Sequence, residues 1–366
     1  MTGKMVTLNF LNETKAGVDV AGEIRRHLAV HGGALAPEDR GDLENAAGLL
    51  ERGEFRLKNN EINFITRNPG RTADYILFRY RFRFYPSLKK LAGYPLHVLV
   101  EPSSVCNLRC VMCFQSDESF RAAPYAGMMS LELFKKIVDE SVDNGLRALT
   151  ISGRGEPLLN RNIGAMLEYA SGKFFDFKIN TNATVLTEKL ARAILSSGVT
   201  DLVLSIDSAD PQQYAKIRVG GNFETVVKNV AALRKMREEE FPGSPLRVRV
   251  SAVKVLPEQD MERYTSFWGA YADDVSYTSM IDRADTYNNL QGQRTTFCER
   301  LWHRLYIWFD GGASPCDYDY KSLLNVGNVT AAGVRAVWLG ERLRQLRETH
   351  ERGERGTLTP CDRCSL

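Results

Sequence analysis

The sequence predicts an α/β protein whose main body is a parallel sheet of six βα units, an open or partial barrel. Two observations carry that prediction. From residue 96 onward, short apolar and β-branched runs recur: LHVLVE (96–101), RALTISG (147–153), FKINTN (177–182), DLVLSID (201–207), RVRVSAV (247–253) and DVSYTSM (274–280). Between most of them lie segments of helical period, including SLELFKKIVDESVDNG, TEKLARAILSSG and NFETVVKNVAALRKMREEE. Strands separated by helices return to the sheet in parallel, because a parallel pair needs a long crossover. Six units are too few for the closed eight-stranded barrel. Chemistry in such a sheet belongs to the loops at the C-terminal ends of the strands.

Residues 1–95 precede this pattern as an N-terminal extension without a functional motif. Its stretch HGGALAPEDRGDLENAAGLLERGEFRLKNNE is charged and glycine-containing, and is expected to form a small helical or mixed module. At 78–85, FRYRFRFY alternates Arg79, Arg81 and Arg83 with Tyr80, Phe82 and Phe84. Such a ribbon can stack on and neutralise nucleic acid. One short ribbon without a basic domain around it is a thin footprint, so a half-buried strand or a helix with solvated arginines is the favoured reading. Within the βα body, 96–282, Ser130 is the expected N-cap of the first crossover helix, and Thr187 with Glu188 opens the next but one. Residues 283–297, RADTYNNLQGQRTTF, read as a linker. A terminal module, 298–366, holds four of the seven cysteines. Its segment GERLRQLRETHERGERG carries Leu343 and Leu346 on an otherwise charged helix and is expected to be a solvated face.

Composition narrows the partners. The 366 residues are 43% hydrophobic and 25% charged, with 48 Lys and Arg against 45 Asp and Glu, a net charge of +3. That balance provides no global field for nucleic acid or membrane, and neither is expected as a partner. The start, MTGKMVTLNFLNETKAG, lacks the pattern of a signal peptide, and no run approaches the ~18 apolar residues of a spanning helix. A cytoplasmic protein with reduced thiols is expected. His27, His31, His97, His303 and His350 are scattered without metal spacing and read as structural.

Cys106, Cys110 and Cys113 form C-x3-C-x2-C directly after the first strand. Structural zinc usually takes four ligands. A thioredoxin-type pair would leave Cys106 unexplained. An iron–sulfur cluster fits the loop better, and three thiolates for four irons leave one iron open to another ligand. Here the sequence resembles the radical S-adenosylmethionine (SAM) enzymes, whose signature is this loop after the first barrel strand. SGRGEPLLN (152–160) resembles the family's glycine–glutamate motif, with Gly155 and Glu156 matching and Arg154 interrupting the first glycine pair. NTNATVLT (180–187) resembles the third strand end and LSIDSADPQQYAKIR the fourth. The resemblance implies a SAM-binding [4Fe-4S] cluster on Cys106, Cys110 and Cys113. It implies that Glu156 receives the amino group of S-adenosyl-L-methionine, that Ser205 and Asp207 lie near the ribose, and that Arg218 pairs with the carboxylate. Asn180 belongs to the same cofactor wall, and Met112 stands where the family often has an aromatic residue that contacts adenine.

Cys298, Cys316, Cys361 and Cys364 can complete a tetrahedral zinc or a fully ligated cluster. Their surroundings, C…DGGASPC…GNV…VW and the terminal CDRC, resemble the SPASM/twitch auxiliary-cluster domain in its abbreviated four-cysteine form, seen in aminocyclitol dehydrogenase. The fold implied is a partial (βα)6 TIM-like barrel with a small C-terminal auxiliary-cluster domain and an N-terminal extension. Three cysteines plus four account for all seven, so none is left to return a hydrogen atom to a substrate radical. That count favours a dehydrogenase, acting on a sugar, aminocyclitol or similar small molecule, over an epimerase. A reductant such as flavodoxin or ferredoxin is implied. Asp282 and Arg283, after the sixth strand, are the candidates for the catalytic base, set against an ordinary surface ion pair. The alternative enzyme is a maturase of a ribosomally made peptide, and a further class is a chain that uses its clusters only as structure or redox sensor.

Overall fold

The computed structural model describes residues 6–9, 18–280, 287 and 297–364. The chain divides into two compact units, Asn12–Ala92 and Gly93–Leu366 with Met1–Leu11. The terminal strand β1 (Val6–Asn9) belongs to the larger unit.

The smaller unit is helical: α1 (Val20–His31), α2 (Pro37–Glu51), α3 (Asn59–Arg67) and α4 (Thr72–Phe84). The FRYRFRFY ribbon lies on α4, and its arginines are not solvated. Arg79 Nε stands 2.6 Å from Glu61, and Arg83 pairs with the same carboxylate. Arg81 reaches Asp39 at 2.5 Å and Asp42 at 2.7 Å. Glu61 and Asp42 are buried, so these arginines neutralise internal acids and offer little to a phosphate backbone. Glu61→Ala is expected to cost about 3–5 kcal/mol, because it strands two guanidiniums. Early cleavage within 18–92 in limited proteolysis would register it, and unchanged protection would refute it.

The larger unit contains one ten-stranded sheet, in the order β1-β9-β8-β6-β5-β4-β2-β10-β11-β12. Its strands in chain order are β2 (His97–Val100), β3 (Arg109–Cys110), β4 (Ala148–Ile151), β5 (Asp176–Thr181), β6 (Asp201–Ser205), β7 (Arg218–Val219), β8 (Arg247–Lys254), β9 (Asp274–Ser279), β10 (Arg304–Ile307), β11 (Gly312–Ser314) and β12 (Gly327–Asn328). The short β3 and β7 pair separately and antiparallel. The six expected strands are β2, β4, β5, β6, β8 and β9, and each neighbouring pair is parallel. Between them run α5 (Leu131–Asp143), α6 (Ile163–Ala170), α7 (Glu188–Ser196), α8 (Pro211–Ile217), α9 (Phe223–Glu240) and α10 (Met261–Gly269). Ser130 accepts from the Leu133 amide at 3.1 Å and Thr187 from Leu190 at 3.4 Å, the expected N-caps.

One feature was not legible in the strand pattern: the sheet does not stop at β2. Chain from the terminal module adds β10 alongside β2 in parallel, with Tyr306 opposite Leu99, and β11 and β12 follow antiparallel. The helices α11 (Val329–Ala332), α12 (Val334–Trp338) and α13 (Glu341–Glu351) complete this region. The expectation of a solvated α13 needs correction, since Leu343, Arg347 and His350 are all buried. Arg347 donates to the Leu301 and Trp338 carbonyls and lies 4.3 Å over the Trp338 ring, which is why a charged residue can point inward. Among the described residues no helix is long and apolar enough to cross a membrane.

Candidate functional site

At the C-terminal ends of the strands lies a cavity of about 330 Å³, walled by Cys106, Cys110 and Cys113 on one side and by the ends of β4, β5, β6, β8 and β9 on the other. Met112, Gly155, Glu156, Asn180, Ser205 and Arg218 all line it, so six sequence candidates converge with the three cysteines. Asp207 does not. It is fully buried behind the wall, accepts from the Val253 amide at 2.7 Å and pairs with Arg218. Its place is to hold Arg218, whose Nη1 then reaches Cys110 Sγ at 3.6 Å. Asp282 and Arg283 lie outside the described residues.

The fit of the loop to a thiolate-bound cluster is tested by the sulfurs' surroundings. Each receives a donor: Cys106 from the Leu108 amide at 3.5 Å and Asn182 at 3.9 Å, Cys113 from the Gln115 amide at 3.5 Å, and Cys110 from Arg218. Donors aimed at sulfur favour the anionic form. Burial opposes it, pushing Cys106 up to about 11 and Cys113 up to about 12. A bound cationic cluster resolves that conflict, since its ligands are deprotonated on binding. No three His, Cys, Asp or Glu side chains among the described residues are grouped to hold a single metal ion. The three thiols line one cavity, which suits a multi-iron cluster.

The opposite wall fits a polar ligand. Glu156 is buried and accepts from Thr181 Oγ1 at 2.6 Å, from the Asn182 amide at 2.7 Å and from the Leu158 amide at 3.1 Å. Burial raises its pKa above the usual carboxylate range. Three donors leave the carboxylate room for one more, such as an ammonium. Asn180 donates to Ser152 Oγ at 3.2 Å, but its buried Oδ1 has no partner among the described residues. A buried orphan acceptor on a cavity wall is the position a ligand donor fills.

Two glycines are required here by close approach. A Cβ on Gly153 would meet Glu101 Cγ at 2.5 Å, and one on Gly155 would meet the Val105 carbonyl at 2.4 Å. Gly155→Ala must move backbone, so it is expected to lower the unfolding free energy by about 1–3 kcal/mol and to reduce iron uptake by the first site. Parent-like iron content and stability would show that the wall tolerates the methyl.

Arg154, an interruption of a motif in the sequence, is a buried hub. Its Nε and Nη2 reach Glu101 at 2.8 and 2.6 Å, its amide reaches Glu101 at 2.7 Å, and Nη1 reaches the Tyr320 carbonyl at 2.9 Å. Its guanidinium lies 4.1 Å from the Trp308 ring centroid. Phe114, next to Cys113, stacks on Tyr320 at 4.7 Å. The cysteine loop is thereby packed against the segment that follows Cys316. Single-residue reasoning missed Arg154, Gln115, Thr181 and Asn182, although an arginine set between two glycines at a strand end was a visible anomaly.

The second cysteine group also assembles. Cys298, Cys316 and Cys361 line a small pocket with Arg300 and His350. Cys364 follows on the same short turn, and Arg355 reaches both the Cys361 and the Cys364 carbonyls, at 3.3 and 3.5 Å. Burial and the neighbouring Cys298 push Cys361 up to about 12, and Cys316 lies well above the usual thiol range. His350, read as an isolated structural histidine, accepts from the Cys298 amide at 3.2 Å.

Comparison with known proteins agrees with both groups. The model of the Radical SAM superfamily matches residues 100–241, and that of the SPASM iron–sulfur cluster-binding domain matches 298–365. A probable GTP 3′,8-cyclase of Methanococcus maripaludis is 36% identical over 155 residues, 42% of this chain and 49% of its own. A GTP 3′,8-cyclase of Desulforamulus reducens is 31% identical over 157 residues, 42% of this chain and 46% of its own. The chain thus spans about half the length of these curated relatives. Among solved structures, BtrN in complex with AdoMet and 2-DOIA superposes with a TM-score of 0.50 at 18% identity, over 74% of this chain and 92% of that one. Streptococcus suis SuiB bound to S-adenosylmethionine gives 0.54 at 16%, over 91% of this chain and 84% of that one. At these identities the likeness is one of fold.

Proposed function

This chain carries a radical SAM domain followed by a SPASM iron–sulfur domain, and on that premise we propose that it oxidises a hydroxylated small molecule by two electrons, turning a secondary alcohol of a sugar, aminocyclitol or similar compound into a ketone. The observation that carries the reading is the use of every thiol: three wall the cavity, four belong to the C-terminal group, and all seven are free of disulfides. No cysteine remains to quench a substrate radical by donating hydrogen. When bound, S-adenosylmethionine and the first cluster supply the hydrogen-abstracting radical, and the auxiliary cluster supplies a nearby electron acceptor.

The chain's own residues bind and shield. Asn180, Ser205, Thr278 and Ser279 offer polar groups to hydroxyls, while Leu108, Phe114 and Val253 keep the wall apolar and limit water. Arg218 and Glu156 would hold the two ends of an amino-acid zwitterion, the carboxylate and the ammonium. Asp282 or Arg283 remains the proposed base for the hydroxyl proton, and flavodoxin or ferredoxin the proposed reductant. BtrN's fold likeness supports this reading. The cyclisation named for the curated relatives is not carried over, because the match spans only about half of them.

A second reading is supported by one observation. The SuiB superposition covers 91% of the chain against 74% for BtrN, so it extends into the N-terminal region, and one SuiB structure is bound to precursor peptide SuiA. Peptide modification is that alternative. The test is turnover of sugar alcohols and aminocyclitols deuterated at the carbinol carbon. The expected result is one ketone per S-adenosylmethionine consumed, with deuterium found in 5′-deoxyadenosine. Deuterium-free 5′-deoxyadenosine with no ketone from any polyol, beside modification of a peptide, would replace the first reading with the second.

A further inference from the structure

The C-terminal cysteine group holds one buried donor without an acceptor. On α13, Leu343, Arg347 and His350 follow one another at spacings of four and three, and all three are buried. Arg347 is accounted for by the Leu301 and Trp338 carbonyls. His350 is 2% exposed and lines the pocket shared by Cys298, Cys316 and Cys361. Its Nδ1 accepts from the Cys298 amide at 3.2 Å. A ring nitrogen that accepts carries no proton, so the imidazole is neutral and its proton sits on Nε2. Nε2 is itself buried and has no hydrogen-bond partner among the described residues.

A buried N–H without an acceptor weakens a fold, and native interiors rarely keep one. The surroundings of this one offer no relief. Arg300, on the same pocket, is a donor too, and Asp317 already matches it at 2.7 Å. Leu301, Leu324 and Leu346 supply only hydrocarbon there. No cysteine sulfur among the described residues accepts the proton either, so the acceptor belongs to what the cysteines hold. A lone zinc adds no acceptor to its four thiolates. An iron–sulfur cluster brings inorganic sulfides into the space between them.

We propose that His350 donates a hydrogen bond from Nε2 to an inorganic sulfide of the auxiliary cluster, and so raises the potential at which that cluster takes up an electron. The proposal deepens the reading of this cluster as electron acceptor in the oxidation and rests on it. Reduction adds a negative charge that the sulfurs share, so a fixed donor favours the reduced form. The Cys298 amide fixes the donor by holding the far side of the ring. In the step itself the substrate radical loses one electron, the cluster gains it, and His350 keeps its proton throughout.

The test needs no substrate, so its failure is distinct from failure of the oxidation assay. The chain is labelled with heavy-nitrogen histidine, reconstituted anaerobically, reduced with dithionite and measured by pulsed electron paramagnetic resonance. A histidine nitrogen coupled to the reduced auxiliary cluster is expected. No histidine lines the cavity beside Cys106, so the first cluster does not contribute that signal. Potentiometric titration of Cys106→Ala/Cys110→Ala/Cys113→Ala, which isolates the auxiliary cluster, gives the energetic readout. Adding His350→Leu is expected to shift the oxidised-to-reduced ratio about tenfold toward oxidised at a given potential, a midpoint about 59 mV lower for one electron. His350→Gln, which keeps an acceptor and a donor, is expected to recover most of that shift. The labelling experiment uses the unaltered chain, so it decides the question even where His350→Leu fails to hold its cluster. An absent nitrogen coupling, a leucine variant with an unchanged midpoint, or a glutamine variant as low as the leucine one would each overturn the proposal.

Discussion

Arg154→Met is expected to destabilise the larger unit by about 3–5 kcal/mol, a far larger loss than its position in a loop suggests. The Glu101 side chain is fully buried, and two of the guanidinium nitrogens are its charge partners. With the arginine gone, Glu101 keeps only backbone donors, the Arg154 amide at 2.7 Å and Phe309 at 3.4 Å. A buried carboxylate without a cation carries most of its desolvation cost. Glu101→Gln/Arg154→Met is therefore expected to recover much of the loss, because the amide keeps the shape and removes the stranded charge. Urea denaturation of the double variant and of each single variant measures this coupling. A double variant as unstable as the sum of its single changes would mean that the pair acts independently and that the buried-charge account is wrong.

Cys106→Ala/Cys110→Ala/Cys113→Ala is expected to lower the iron content of anaerobically reconstituted protein from about eight to about four per chain, one cubane's worth. Reductive cleavage of S-adenosylmethionine should fall to background, since no ligand set remains at the cavity. The C-terminal group should keep its irons, because Cys298, Cys316 and Cys361 line a separate pocket. A parent with about four irons and one zinc would make the C-terminal cysteines structural. That would remove the electron acceptor from the proposed oxidation. A variant still holding about eight irons would remove the cavity loop from cluster binding altogether.

The sequence was sufficient wherever the determining physics is local. Six parallel strands were readable because a strand covered by helices on one face alternates or runs apolar over a few residues, and the helices between carry their own period and caps at Ser130 and Thr187. The cysteine loop was readable because ligand spacing along a short segment fixes what it can wrap. The cavity residues Glu156, Asn180, Ser205 and Arg218 came from motif order along the chain, and the strand ends bring them together.

What the sequence alone left undecided depends on partners distant in the chain. FRYRFRFY could not reveal that its arginines neutralise Asp39, Asp42 and Glu61, because those acids lie on other helices. Asp207 looked like a cavity residue until its pairing with Arg218 placed it behind the wall. Arg154 broke a glycine motif, and only the fold supplies Glu101, Trp308 and the Tyr320 carbonyl around it. Local sequence therefore determined the elements and the thiolate loop. The tertiary structure decided which charges are paired and which side chains reach the cavity, because pairing depends on distance in space and sequence spacing does not encode it.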